Sequence, residues 1–425
     1  MHLPRFTFGV GDRFDCSGRA QLRAFPRHDD IAPVWNKSWR EHRLIGSEPA
    51  AVRAAAAAAV AAEGWTGPWF VDADHVGAEA LPRFAPHCDF FTLDVAEAMG
   101  RRAGPEAVAA FLDRHGDLAT TVVWPGLELP LTITREELAA AAARVLVAAG
   151  QAVALHRQLQ ALRPDGAYAV EVSLDETDEI QGPAEIIAVL AVLADEGISA
   201  DTIAPRFPGR FNKGVDYVGD VAAFARAFAA DAAAAAWAST RLKMRTQTRL
   251  SVHSGSDKFA IYPAIRAAIA RLGTGLHLKT AGTTWLAEVE GLALAGGLGL
   301  DLARRIYAGA HARSAEMIAP YAPVVDIDVK LLPAPAEVAR WDGKRFAAAL
   351  HHDAACPDFN PQLRQLIHVG YSVAAGFGSE YLDTRRRHAA IIDPVVTANL
   401  AERHLQALLP SSAGRATHAV SQVGG

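Results

Sequence analysis

The strongest constraint on this chain is an alternation between two kinds of segment. Short apolar runs ending near acidic or histidine side chains are each followed by an Ala-rich stretch of helical character. Strand-type runs fall at 6–10, 69–73, 90–93, 168–172, 202–204, 249–252 and 276–278. Helical stretches fall at 48–62, 105–114, 135–163, 182–195, 220–240, 259–271 and 283–296. A parallel strand pair needs a long crossover, so repeated βα units imply a parallel sheet. The third helix starts with Thr134 and Glu137, a T-x-x-E capping box. The expected fold is a TIM-like (β/α)8 barrel with additional C-terminal helices, although the eighth strand has no assignment. The expected organisation is a barrel core over 1–297, a helical extension packed on it over 298–409, and a flexible tail over 410–425.

A doubly wound dinucleotide-binding sheet is the rival architecture. FGVGDRF at 8–14 has two glycines spaced like the start of a G-x-G-x-x-G motif. It lacks the third glycine and the helix, so a dinucleotide site is not expected there. With 51% hydrophobic residues among 425 and a net charge of −5, the chain can bury a large core and has no basic excess for nucleic acid. Three scattered cysteines form no C-x-x-C pair, which fits a reducing, cytoplasmic setting. The first residues acquire charge too early for a signal peptide, and the Ala-rich runs read as too weakly hydrophobic to span a membrane.

Chemistry in such a barrel gathers where strands end and βα loops begin. Asp74 and His75 follow one strand-type run and Asp94 another; Glu171 leads to Asp175, Glu176 and Asp178. His253 and Ser254 close a further run, and His277 and Lys279, two apart, share one face of the last. An acidic residue after a strand is commonly a helix N-cap, which suits Asp94, Asp175 and Asp178. Glu171, between two valines, needs a partner if buried. Together the groups form an O/N donor set suited to Zn²⁺, Mn²⁺, Co²⁺ or Ni²⁺, with His75, Glu171, His253 and His277 as candidate ligands. Lys279 can form a Schiff base or remain charged and hold a carboxylate. Lys37, Arg206, Lys213 and Lys258 are further cations in these regions, and they favour an anionic substrate. His351 and His352 read as an ordinary helix end, and His368 as either a core or a pocket histidine.

Several stretches resemble the tagaturonate epimerase family: FGVGDRF (8–14), PVWNKS (33–38), FVDADH (70–75), FFTLDVA (90–96), EVSLDET (171–177), KGVDYVGD (213–220), SVHSGSDKF (251–259) and HLKTAGT (277–283). The resemblance spans 6–371 and implies a metal-dependent barrel that interconverts tagaturonate and fructuronate; related members act on tagatose and fructose. These pairs differ at a carbinol carbon one atom beyond the carbon next to the ketone, where the C–H is not acidified. Two routes remain, transient oxidation with hydride return and retro-aldol cleavage with re-addition; with no dinucleotide signature the second is expected, with Asp74 or Asp175 moving the hydroxyl proton. Lys279 joins Asp74 and Asp175 as a candidate catalytic residue, Lys279 or Lys258 would hold the remote carboxylate, and Lys37, Lys213, Lys258 and Ser254 are the candidate substrate-binding residues. A metal-dependent aldose–ketose isomerase, a class II aldolase, and a non-catalytic sugar-binding barrel are the alternatives.

Overall fold

The computed structural model describes residues 2–27 and 30–409, so the expected tail at 410–425 lies outside the described residues. Eight parallel strands close into a barrel in sequence order: β1 (Phe6–Gly11), β2 (Ile31–Ser38), β3 (Phe70–Val76), β4 (Phe90–Asp94), β5 (Ala169–Ser173), β6 (Thr202–Ala204), β7 (Arg249–His253) and β8 (Leu276–Thr280). The TIM-like barrel expected from the alternation is present. The strand without a sequence assignment is β2, pairing from Phe6↔Ile31 to Gly11↔Asn36 with β1. Its Pro33 argues against a central strand, yet pairing with β3 begins only at Val34, one residue later.

The strands sort their side chains by parity. Residues facing the surrounding helices are apolar, among them Phe8, Val10, Val71, Phe91, Val172, Ile203, Leu250, Val252 and Leu278, all buried in the main core. The inward positions begin with an apolar plug of Leu3, Ala32, Val34, Phe70, Phe90 and Ala169. Above it the inward residues turn polar while staying buried: Thr7, Asn36, Asp72, Thr92, Glu171, Thr202, Ser251, His277 and Lys279. Charged groups in such a lumen are tolerable only if they satisfy one another or a ligand.

Helices wrap the barrel. Two of them, Arg135–Leu162 and Val221–Arg241, are long and apolar enough to cross a membrane, which corrects the expectation from sequence. Alanine raises their apolar character without bulk. Each buries about half of its most apolar window inside the protein, 50% and 56% respectively. The capping box at Thr134 and Glu137 forms as expected, each group accepting from the other's backbone amide. From Gly297 to Leu408 the described residues add helices and no barrel strand. Asp257, in the loop after β7, fastens this region. It accepts from Arg364 Nη2 at 2.6 Å and lies 3.2 Å from His352 Nδ1 and 3.1 Å from His404 Nε2.

Candidate active site

At the carboxyl ends of the strands, His75 of β3, Asp175 after β5 and His253 of β7 bring one ligand atom each within 4.8 Å of one another. His75 arrives there through a bulge. Between β3 and β4 the register advances by three residues from Ala73 to Val76 against two from Phe91 to Leu93. The extra residue re-aims a side chain, and His75 takes a left-handed φ of 49°. As a result the consecutive Asp74 and His75 both reach the mouth. The rings of His75 and His253 meet edge to face, 4.9 Å apart.

His253 is oriented from behind. Its Nε2 lies 2.8 Å from Glu171 Oε1, and Glu171 Oε2 accepts from Thr202 Oγ1 at 2.7 Å. With Nε2 held by Glu171, Nδ1 faces Asp175 Oδ2 across the mouth, 3.2 Å away. Nδ1 of His253 and Nδ1 of His75 are buried without a hydrogen-bond partner. Two imidazoles and a carboxylate whose ligand atoms lie within 4.8 Å, two of the ring nitrogens being buried without a hydrogen-bond partner, fit a divalent ion of the expected class. His75, Asp94 and Glu176 form a second such group that shares His75. Without an ion, burial pushes the His253 imidazole down, but Asp175 and Glu171 on either side outweigh it and hold it up to about 10.

Beneath this group, Lys279 is enclosed by acceptors. Its Nζ lies 2.9 Å from Asp72 Oδ2, 2.9 Å from Asp74 Oδ1, 3.0 Å from Glu171 Oε1 and 2.6 Å from Thr92 Oγ1. Burial opposes its charge, but the three carboxylates hold its pKa well above the usual lysine range. The cluster is acidic on balance. Burial raises Asp72 to about 6, offset in part by Lys279 and reinforced by Asp74 and Glu171. Asp74 stays below the ordinary range despite burial because Lys279 stands beside it. Gly9, paired with Lys279 on β1, makes the arrangement possible: a Cβ there would lie 3.1 Å from Lys279 Cα and Cγ.

The remaining sequence candidates separate. His277 shares a face with Lys279 but lies deeper, with Nδ1 2.8 Å from Thr7 Oγ1 and burial pushing its pKa down to about 3. It does not join the group of His75, Asp175 and His253, and Glu171 stands behind that group rather than in it. Ser254 Oγ donates inward to the Lys279 carbonyl at 3.0 Å. Lys37, on the outward parity of β2, pairs with Asp15 Oδ1 at 2.6 Å. Lys258 Nζ donates to the carbonyls of Asn212, Val215 and Asp257 and to Ser256 Oγ, at 2.8 to 3.1 Å. Lys213 approaches no carboxylate among the described residues and instead faces the Tyr321 ring at 5.5 Å. His368 Nε2 lies 3.2 Å from the Gly255 carbonyl and packs against Gly282. Sequence reasoning missed Thr92 and Thr202, whose hydroxyls fix Glu171. Their inward parity, two residues from other polar positions, was the available signal. It also missed Arg13, Arg40 and Tyr321, which no local pattern marks.

Comparison with known proteins agrees with this architecture. The model of the tagaturonate epimerase family matches residues 1–376. The tagaturonate/fructuronate epimerase of Thermotoga maritima is 29% identical over 314 residues, covering 71% of this chain and 62% of that protein. The chain thus spans less than two thirds of the length of that curated relative. A crystal structure of fructuronate-tagaturonate epimerase from Cohnella laeviribosi with two glycerols matches with a TM-score of 0.78 at 25% identity, covering 96% of this chain and 82% of that one. Its native form matches with a TM-score of 0.76 at 24% identity, covering 95% and 81%.

Proposed function

Because the chain belongs to the tagaturonate epimerase family, we propose that it is an isomerase interconverting tagaturonate and fructuronate, or the related ketoses tagatose and fructose. We further propose that it depends on a divalent ion of the Zn²⁺, Mn²⁺, Co²⁺ or Ni²⁺ class. The observation that carries this reading is the convergence of His75, Asp175 and His253 at the rim, over a lumen where Lys279 faces three carboxylates. The three free cysteines support a reducing, cytoplasmic setting.

In the proposed mechanism His75, Asp175 and His253 hold the ion, which when bound supplies electrophilic stabilisation of negative charge at the ketone oxygen. The chain's own groups carry the proton. Asp74 is kept ionised by Lys279, so it can accept the hydroxyl proton of the carbinol carbon that inverts. As that proton leaves, the carbinol carbon becomes an aldehyde, and the electrons of the adjoining C–C bond pass into the former ketone as an enediolate. Rotation of the aldehyde and re-formation of the same bond gives the other epimer, and Asp74 returns the proton. Lys279 sets the charge of Asp74 without leaving its place between the carboxylates.

The test is to strip and reload the protein with each metal in turn. NMR then follows the stereochemistry of tagaturonate, fructuronate, tagatose and fructose. Metal-dependent epimerisation is the expected outcome. Full activity in stripped protein refutes the metal requirement, and accumulation of three-carbon fragments or an aldose redirects the reaction class.

A further inference from the structure

The lysines of this site differ in what already satisfies them. Lys37 is neutralised by Asp15, Lys279 by three carboxylates, and the Lys258 ammonium is saturated by backbone carbonyls. Lys213 is not. Among the described residues its ammonium makes no ion pair, and its ring contact with Tyr321 is shared with Arg40, whose guanidinium lies 5.0 Å from the same ring. Burial and the positive charges of Arg13 and Arg40 all press against its protonation. Asp74 and Glu176, at the rim, favour it.

A half-buried ammonium with no ion-pair partner and two cations nearby is a seat for an anion, and its backbone is held ready for one. Gly214 N donates to Ser256 Oγ at 2.9 Å, and the Gly214 carbonyl accepts from Arg364 Nε at 2.7 Å. Lys213 N donates to the Val324 carbonyl at 2.7 Å, and Lys258 clasps the carbonyls of Asn212 and Val215 on either side. The loop is fixed from four directions, so the ammonium is placed in advance and little ordering remains to be done on binding. It also stands next to the rim group: a Cβ on Gly255, two residues beyond His253, would lie 3.7 Å from Lys213 Nζ.

We propose that Lys213 receives the substrate's carboxylate, and that through it the barrel selects keto-uronates over neutral ketoses of the same stereochemistry. This inference rests on the reading of the chain as a metal-dependent epimerase. It assigns Lys37 and Lys258 to positioning, and leaves Arg40 as the flanking cation that Glu41 does not offset, Glu41 being paired with Arg13. Arg206 is the rival seat, because it lines a small hollow with Asp175, Phe211 and His253.

The experiment compares wild type, Lys213→Met, Lys213→Arg and Arg206→Met, all metal-loaded. It measures KM and kcat for tagaturonate and for tagatose, together with the rise in melting temperature each compound produces. For Lys213→Met, KM for tagaturonate should rise by about 10- to 100-fold, the loss of one hydrogen bond to a charged group. Constants for tagatose should move by less than about threefold, within ordinary surface effects, and Lys213→Arg should restore much of the preference. Equal losses on both compounds, or loss of preference in Arg206→Met alone, overturn the proposal. If wild type turns over neither compound, the epimerase reading fails, while the melting shifts still decide whether Lys213 distinguishes acid from neutral sugar.

Discussion

Glu171 Oε1 sits 2.8 Å from Nε2 of His253 and 3.0 Å from Nζ of Lys279, so one carboxylate oxygen joins the rim histidine to the buried ammonium. That oxygen sets both the tautomer of the histidine and the charge balance of the lumen.

Glu171→Gln keeps an acceptor for Nε2–H but removes the charge that strengthens it. Affinity for Zn²⁺ or Mn²⁺ should fall by about 10- to 100-fold, read by competition with a chelator of known affinity. The ion-free variant should still fold, by circular dichroism, because Asp72 and Asp74 continue to pair Lys279. Unaltered metal affinity would show that Glu171 does not support the ligand.

Lys279→Met removes the one ammonium among Asp72, Asp74 and Glu171. Leaving buried charges without a partner destabilises by about 3–5 kcal/mol at neutral pH. The sign with pH follows. In the variant the folded-state pKa values of these carboxylates rise above their unfolded values, so the penalty is absent below the unfolded pKa and develops as pH rises through the folded ones. Urea unfolding at pH 5 and pH 8 should show a deficit that is larger at pH 8. A deficit independent of pH would assign the loss to packing instead.

Lys213 is pushed down to about 8 by burial and by Arg13 and Arg40, against the pull of Asp74 and Glu176. An ammonium is lost above its pKa, so kcat/KM for tagaturonate should fall above pH 8 by about tenfold per unit, since this constant reports groups of the free enzyme. The profile for tagatose should lack that limb. Superimposable profiles for the two compounds would contradict the assignment.

Asp257→Ala leaves Arg364 buried without its carboxylate and unties His352 and His404 from the loop after β7. The expected loss is about 3–5 kcal/mol, with faster proteolysis among the helices beyond residue 297. Cleavage confined to the barrel would mean the two regions are not fastened there.

The barrel was legible because short apolar runs alternate with Ala-rich helical stretches, and repeated βα units imply a parallel sheet. Within one strand the period of two put His277 and Lys279 on one face, and the structure shows the same relation between buried Asp72 and Asp74. β2 escaped because Pro33 interrupts a run whose other residues suit a strand. The rim group was legible only in part. Asp175 reads as a helix cap, yet it meets His253 across the mouth, and no periodic rule brings His75 there, since a bulge breaks the period at that point. Lys213, Lys258 and Ser254 lie in or beside loops, where sequence gives the charge but not the partner. Only the fold reveals that Lys258 is enclosed by carbonyls while Lys213 is left open.

The left-handed backbone at His75 restricts what can replace that residue. Most side chains are strained at a φ of 49°, whereas Asn, Asp, His and Gly tolerate it. Of these, His and Asp can also serve strongly as ligands. Position 75 is thus screened twice, first by chain conformation and then by coordination chemistry. A library built there should recover active variants from a far narrower set of amino acids than one built at Asp175.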